Sequence, residues 1–139
     1  TMEDVLSETA ITYPETYLAS MTGGQIKDIL EDVCDNLFNA DPYYQQGGDM
    51  VRVGGFVYTC TPGEAAGHRI SELKLDDGRA VEAGKNYKVA GWASVNEQQG
   101  TPVWDIFAKH LASVKTPGQQ GTRVTLRGVE DNPGMTGKG

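Results

Sequence analysis

The chain has 139 residues, with 12 lysines and arginines against 19 aspartates and glutamates. This length fits one domain whose core needs no metal or disulfide to hold it. The net charge of −7 argues against nucleic-acid or anionic-membrane binding as the main task, because neutralising phosphates takes clustered cations. No run of 18 apolar residues occurs, so we expect no transmembrane helix.

The first half of the chain predicts two helices with an extended segment between them. Acidic residues near its start indicate a short helix over residues 2–8. Strand-type side chains over residues 10–19 indicate an extended segment that Pro14 interrupts. The clearest element is a helix that begins with a T-x-x-Q capping box at 22–25 and continues, with apolar residues at 3.6-residue spacing, to about Phe38.

The second half predicts mostly strands. We expect a bulge at Gly54-Gly55, a turn at 76–78, and a helix that Thr101 caps and Pro102 begins. The expected strands cover residues 51–60, 70–75, 87–95 and 124–129.

The order of these elements predicts the fold class. A helix, a group of strands, a second helix and a last strand are typical of an α+β domain, here with a mixed β-sheet and two main helices. We expect this single domain to span residues 1–130. Residues 131–139 lack apolar periodicity, which predicts a flexible tail.

The reactive side chains form no recognisable catalytic or metal motif. Cys34 falls on the apolar side of the predicted 22–38 helix, where we expect a small buried thiol. Cys60 ends an apolar strand, and the sequence leaves a disulfide between the two cysteines open. His68 and His110 lie far apart, and neither has a second ligand at helical spacing. Since G-x-S-x-G and phosphate-binding glycine motifs are also missing, we expect no metal site and no catalytic residue in this chain.

The most suggestive segment is the polar loop at 43–52, which we call the candidate loop. Its tyrosines offer amphipathic contact area, its glutamines offer donors and acceptors, and its adjacent glycines let a ligand approach the backbone. Arg52 suits an oxyanion through a two-pronged hydrogen bond. The alternative is an ordinary surface loop in which Arg52 pairs with a nearby carboxylate such as Asp49. The candidate substrate-binding residues of this loop are Tyr43, Tyr44, Gln45, Gln46, Gly47, Gly48, Asp49, Met50 and Arg52.

One further candidate lies outside the loop. Trp92 stands in a predicted strand beside Gly91, and the sequence leaves open whether its ring fills the core or faces a cleft. Trp104, at the apolar start of a helix, is expected in the core.

Longer strings in the chain resemble the C-terminal domain of the 5′-nucleotidase family. The family's T-G-x-Q-L-K helix start is matched at 22–27, its G-x-F-L-Q-V-x-G-L-x-Y phrase at 47–59, its G-x-R-V turn at 67–70 and its Y-x-V-A strand at 87–90. The match runs in order over most of the chain. Further strings look like the thiosulfohydrolase branch of this family, which belongs to the sulfur-oxidising Sox system; they lie at 10–16, 41–55, 88–95 and 132–135.

This resemblance implies a two-domain periplasmic hydrolase. Its N-terminal metallophosphoesterase-like domain would hold two manganese ions, and its C-terminal domain would shape the substrate cleft. The enzyme would release sulfate from a cysteine S-thiosulfonate on the SoxYZ carrier during thiosulfate oxidation. The present chain would be the C-terminal domain alone, without a cofactor of its own, and would be inactive by itself.

The resemblance also assigns roles to residues. Cleft lining would fall on Gln46 to Met50, Arg52 and Trp92, and the two tyrosines of the candidate loop would contact the carrier peptide. Nucleotidases of the family hold the nucleoside with an aromatic and a G-G-D-G stretch after the Y-x-V-A strand, and residues 92–102 lack G-G-D-G, which favours a non-nucleotide substrate. Two alternatives stay open: a nucleotide-binding domain of a 5′-nucleotidase or UDP-sugar hydrolase, and a non-catalytic module that docks the carrier.

Overall fold

The computed structural model describes residues 1–9, 12–92, 100–114 and 125–128. In chain order the elements are α1 (Met2–Glu8), β1 (Tyr17–Thr22), α2 (Gly23–Phe38), a 3₁₀ turn (Pro42–Tyr44), β2 (Phe56–Cys60), β3 (Ile70–Leu75), β4 (Asn86–Gly91), α3 (Val103–Ser113) and β5 (Thr125–Leu126). The chain forms two compact units, one of residues 1–21 and 86–119 and the other of residues 22–85 and 120–139. None of the helices in the described ranges has the length and apolarity needed to cross a membrane.

The first unit combines two helices with a two-stranded sheet. The predicted helix over residues 2–8 is confirmed as α1, and the Thr1 hydroxyl caps it by accepting from the Asp4 amide at 3.3 Å. Helix α1 packs against α3, where Val5 and Val103 are both buried. Strands β1 and β4 pair with each other. Apolar contact between the two helices therefore supplies the core of this unit.

The second unit packs α2 against a three-stranded sheet in the order β3-β2-β5. Strand β2 runs antiparallel to β3 and parallel to β5, so this sheet is mixed, and the α+β expectation is confirmed. The core joins the apolar side of α2 to β2 and β3, and its fully buried members are Leu30, Cys34, Tyr58, Cys60 and Ile70. The burial predicted for the Cys34 thiol is confirmed.

Local hydrogen bonds explain why α2 begins where the sequence predicts. The Gln25 amide donates to the Thr22 hydroxyl at 3.2 Å, and the Gln25 side chain accepts from the Thr22 amide at 2.8 Å. The Gly23 amide donates to the Lys85 carbonyl at 3.0 Å. A Cβ at Gly23 would overlap the Glu82 carbonyl, so this close approach requires glycine.

One predicted strand start and the predicted position of the bulge are wrong. The expected strand over residues 51–60 begins only at Phe56, because Gly55 turns the chain with a φ of 86°. The bulge is not at Gly54-Gly55; the register shifts between Val57 and Thr59.

Of the extended segment expected over residues 10–19, residues 10 and 11 lie outside the described residues, Glu15 forms an isolated bridge with Pro102, and β1 begins at Tyr17. The expected cap of α3 is wrong. The Pro14 carbonyl accepts from the Val103 amide at 2.7 Å, which ties the segment to the start of α3. Pro102 holds the N-cap position without a side-chain hydrogen bond. The Thr101 carbonyl instead accepts from the amide of Thr16 at 3.1 Å and from its hydroxyl at 2.6 Å.

The remaining expectations for strands are confirmed in part, since Trp92 and residues 127–128 are described but lie outside the strands expected to contain them. The expected strand over residues 70–75 is β3, and its hairpin closes with the Leu75 amide donating to the Arg79 carbonyl at 2.8 Å. The strand expected over residues 87–95 is β4, and residues 93–95 lie outside the described residues. Strand β5 covers two residues of the expected 124–129. The expected tail at 131–139 also lies outside the described residues.

Candidate functional site

The candidate loop leaves the end of α2 through a set of short-range hydrogen bonds. Asn39 caps α2, and its amide donates to the Asp35 carbonyl at 2.9 Å. The Asp41 carboxylate accepts from the Tyr43 amide at 3.0 Å, and Pro42 follows it at the first position of the 3₁₀ turn. Aspartate followed by proline is a typical start of a helical turn. The first residues of the loop are therefore ordered by local capping.

The two tyrosines stand out from the surface of this turn. Tyr43 is 88% exposed and Tyr44 is 62% exposed. Their ring centroids lie 5.6 Å apart with an interplanar angle of 89°, an edge-to-face arrangement that is favourable for aromatic pairs. An exposed aromatic pair offers apolar area and two hydroxyls to a ligand.

The middle of the loop is open to approach. The Gln46 amide donates to the Asn36 carbonyl at 2.8 Å, which holds the loop against the last turn of α2. Gly47 and Gly48 follow with φ values of 76° and 102°, which other residues adopt only with strain. A Cβ at either position would have nothing within 4 Å. The backbone here is thus reachable by a ligand from outside.

The end of the loop returns to the core. Met50 and Val53 pack against the buried cluster of the second unit, and the buried Tyr58 hydroxyl donates to the Val51 carbonyl at 3.3 Å. Arg52 lies between these anchors with its side chain exposed. Within the described residues no ion pair joins Arg52 to Asp49, so the pairing considered as the alternative is not observed. Among the ion pairs of the described residues, none involves the Arg52 guanidinium.

Trp92 follows β4 directly and is 50% exposed. Its ring therefore does not fill the core, which was one of the two interpretations left open by the sequence. It belongs to the first unit, whereas the candidate loop belongs to the second. Trp104, expected in the core, is only partly buried.

A buried arginine supports the base of the loop. Arg69 is 5% exposed; its Nε donates to the Pro62 and Glu64 carbonyls at 3.2 and 3.0 Å, and its Nη1 donates to the Asp35 carboxylate. The hydrogen bond from Arg69, and next the one from Asn39, hold the pKa of Asp35 below its ordinary value. Asp35 is thus a carboxylate that connects the core to the C-terminal end of α2.

The two cysteines are free and buried. Burial raises the pKa of the Cys34 thiol to about 12, and burial also raises the pKa of Cys60. Buried, protonated thiols are poor nucleophiles. Across the described ranges, no group of three histidine, cysteine, aspartate or glutamate side chains is placed to hold a metal ion.

Sequence reasoning did not select Asn39 and Asp41. Asp41-Pro42 is a capping signal that could have identified the start of the 3₁₀ turn. Nothing in the sequence indicates that the Asn39 side chain bonds Asp35 at 2.9 Å and the Asp41 amide at 2.9 Å, because these contacts depend on where the chain turns after α2.

Comparison with known proteins connects this geometry to a family. The family model described as "5′-nucleotidase, C-terminal domain" matches residues 1–109. The chain belongs to this family. The resemblance seen in the sequence strings is thereby confirmed, and the chain's fold is that of a 5′-nucleotidase C-terminal domain.

Solved structures extend the likeness. The sulfate thiohydrolase SoxB of Thermus thermophilus, in complex with glycerol, is 35% identical to this domain with a TM-score of 0.76, covering 86% of this chain and 24% of that one. A putative 5′-nucleotidase from Staphylococcus aureus, in complex with alpha-ketoglutarate, is 15% identical with a TM-score of 0.68, covering 91% of this chain and 29% of that one. The second likeness shows the fold alone.

A curated relative carries a nucleotide activity in its name. The trifunctional nucleotide phosphoesterase protein YfkN of Bacillus subtilis (strain 168) is 36% identical over 78 residues, which are 53% of this chain and 5% of that protein. The 5′-nucleotidase C-terminal domain described here therefore spans a small part of YfkN and about a quarter of SoxB.

Proposed function

We propose that this chain is the substrate-cleft domain of a periplasmic thiosulfohydrolase, which releases sulfate hydrolytically from a cysteine S-thiosulfonate on the SoxYZ carrier. The observation that carries the proposal is the likeness to the sulfate thiohydrolase SoxB, at 35% identity over 86% of the chain. The other solved structure shares 15% of its residues with this chain. The sequence is therefore more similar to the thiohydrolase than to that nucleotidase, which favours the sulfur substrate.

The candidate loop supplies the contacts that such a substrate needs. A thiosulfonate ends in a tetrahedral sulfonate anion, and the planar fork of an arginine suits such oxygens. Arg52 is exposed and close in sequence to the open backbone of Gly47 and Gly48. Tyr43 and Tyr44 offer an exposed aromatic surface for the peptide that bears the thiosulfonate. The lining role that the family resemblance implies for Trp92, which is half-exposed, stays a prediction.

The hydrolytic step itself belongs elsewhere in the protein. The described residues do not fit a manganese site, because they contain no group of three side chains that could ligate one. We place the two manganese ions, which would activate a water for attack, in an N-terminal metallophosphoesterase domain beyond this chain. The role of the present domain is to bind and orient the carrier's thiosulfonate, which lowers the barrier through proximity.

Nucleotide hydrolysis is a second candidate, favoured by the 36% identity to the nucleotide phosphoesterase YfkN. In that case this domain would hold a base and ribose. Residues 92–102 lack the G-G-D-G stretch with which the family's nucleotidases hold a nucleoside, so we rank this function second. Hydrolysis of AMP or a UDP-sugar by the complete enzyme, without sulfate release from thiosulfonated SoxYZ, would reverse the ranking.

The deciding experiment measures sulfate release from thiosulfonated SoxYZ with manganese present. The complete enzyme is compared with its Arg52→Ala and Arg52→Lys variants and with Arg79→Ala as a control, since Arg79 is also exposed but lies on the hairpin turn after β3. We expect Arg52→Ala to lower kcat/KM about ten- to a hundredfold, the range for one lost hydrogen bond to a charged group. Arg52→Lys retains the charge but not the fork, so its loss should be smaller.

Three results would contradict this proposal. Equal loss of thermal stability and activity in Arg52→Ala would make the residue structural. Sulfate release by the 139-residue chain alone would contradict the placement of the metal ions. Carrier binding by this chain, together with full turnover in the Arg52 variants, would instead indicate a docking module without a role in the cleft.

A further inference from the structure

We infer that Asn39 is a positioning residue for the Tyr43–Tyr44 pair and that it acts through Asp41. This inference rests on the proposed function, in which the tyrosines contact the carrier peptide. It assigns the affinity of the site to a series of hydrogen bonds, here called the relay, which begins in the core and ends at an exposed aromatic surface.

The Asn39 side chain uses both ends of its amide. Its Nδ2 donates to the Asp35 carboxylate at 2.9 Å, and its Oδ1 accepts from the Asp41 amide at 2.9 Å. Its backbone carbonyl accepts from the Gln45 side chain at 2.7 Å. A side chain with simultaneous donor and acceptor partners is held in one rotamer. Asn39 therefore connects the last turn of α2 to both the start and the end of the 3₁₀ turn.

Asp41 transmits this order to the tyrosines. Its carboxylate accepts from the Tyr43 amide at 3.0 Å, and its backbone carbonyl accepts from the Tyr44 amide at 3.1 Å. The rings themselves are mostly exposed and contact each other edge to face. Their direction is consequently set by the backbone that carries them, and this backbone is set by Asp41.

The other end of the relay is anchored in the core. Asp35 accepts from Arg69, whose side chain is 6% exposed and is itself held by the Pro62 and Glu64 carbonyls. The relay thus runs from a buried guanidinium through Asp35, Asn39 and Asp41 to the turn of the tyrosines. A turn ordered in advance does not lose that freedom when ligand binds.

Disordering the turn should weaken binding without changing the chemical step. The tyrosines would contact the carrier peptide away from the sulfur that reacts. Losing these contacts should therefore raise KM and leave kcat unchanged. A variant that merely destabilised the fold would lower the amount of active enzyme and hence the apparent kcat.

The test combines amide exchange with kinetics. In the 139-residue chain, we expect Asn39→Ala to speed amide exchange at Asp41 and Tyr43 about tenfold, as the loss of local hydrogen bonds implies. In the complete enzyme, the same variant should raise KM for thiosulfonated SoxYZ about tenfold at unchanged kcat. Asn36→Ala is the matched control. Asn36 holds Gln46 through its backbone carbonyl, which an alanine substitution keeps, so exchange and KM should stay near those of the wild type.

A conservative pair separates Asp41 from general disruption. Asp41→Asn retains an acceptor oxygen for the Tyr43 amide and should keep exchange and KM near those of the wild type. Asp41→Ala removes the acceptor and should behave like Asn39→Ala. This ordering depends on the hydrogen bond and not on the charge of the carboxylate.

If amide exchange in Asn39→Ala is as slow as in the wild type, Asn39 does not order the turn, and the relay is overturned. Faster exchange at unchanged KM would overturn its role in binding, because disorder of the tyrosines would then cost no affinity. If the wild-type enzyme releases no sulfate from the carrier, the proposed function fails and the binding role of Asn39 fails with it. The exchange data separate these cases, since they report the order of the turn without any substrate.

Discussion

The buried guanidinium of Arg69, next to β3, donates a hydrogen bond to the Asp35 carboxylate on α2. One turn earlier on the same helix, Glu31 accepts from the backbone amides of Arg69 and Ile70 at 3.2 and 2.8 Å. Two carboxylates four residues apart lie on one face of a helix. The helix thus holds the first residues of a strand by charge-assisted hydrogen bonds, in addition to the apolar core.

Arg69→Ala should lower the free energy of unfolding by about 2 kcal/mol, because it removes a buried guanidinium together with its hydrogen bonds to partly exposed acceptors. Urea unfolding of the 139-residue chain measures this loss. Arg79→Ala, which removes an exposed partner of Asp77, should show a much smaller loss. If both variants lowered the free energy of unfolding equally, the Arg69 contacts would contribute no more to stability than a surface ion pair does.

Asp35→Asn should change how stability depends on pH. The hydrogen bond from Arg69 lowers the pKa of Asp35 in the folded state. A lowered folded pKa contributes stability above the ordinary carboxyl pKa, and this contribution is lost as pH falls through the folded value. In urea unfolding between pH 7 and pH 2, the free energy of unfolding should therefore decrease less with falling pH in Asp35→Asn than in the wild type. Asp32→Asn, on the exposed face of α2, should show the same dependence of stability on pH as the wild type. If its stability also decreased less with falling pH, the effect could not be assigned to Asp35.

Gly23→Ala should destabilise the second unit by about 1–3 kcal/mol, the usual cost of overpacking. A Cβ at this position would meet the Glu82 carbonyl and the Val81 side chain. The matched control is Gly63→Ala, where a Cβ has nothing within 4 Å, and its effect should stay within about 0.5 kcal/mol. Thermal unfolding distinguishes the two, and similar melting temperatures would contradict the close approach.

The thiols of Cys34 and Cys60 should resist alkylation in the folded protein. Both side chains are fully buried, and burial raises the pKa of Cys34 to about 12, so almost no thiolate is present at pH 8. Mass spectrometry after iodoacetamide treatment of pre-reduced protein should show no adduct in buffer and two adducts in guanidinium chloride. Modification of the folded protein at the rate of a free cysteine peptide would refute this.

Local patterns of the sequence predicted the elements whose ends are set by local contacts. Helix α2 is one case, because the Thr22–Gln25 capping box satisfies its first amides without help from distant residues. Strand starts were less predictable: strand-type residues before Phe56 indicated a longer strand, but pairing begins only where β3 offers a partner. The predicted roles of the candidate loop and Trp92 remain predictions, because no ligand contact bears on them.

By itself, the sequence determined the fold class, the starts of α1 and α2, the buried Cys34 and the family, because each is encoded in residues close together in the chain. The tertiary structure alone decided that Arg69 is buried against Asp35 and that Asn39 joins Asp35 to Asp41. Arg69 and Asp35 are 34 residues apart, and whether a charged side chain is solvated or paired depends on what the fold brings beside it.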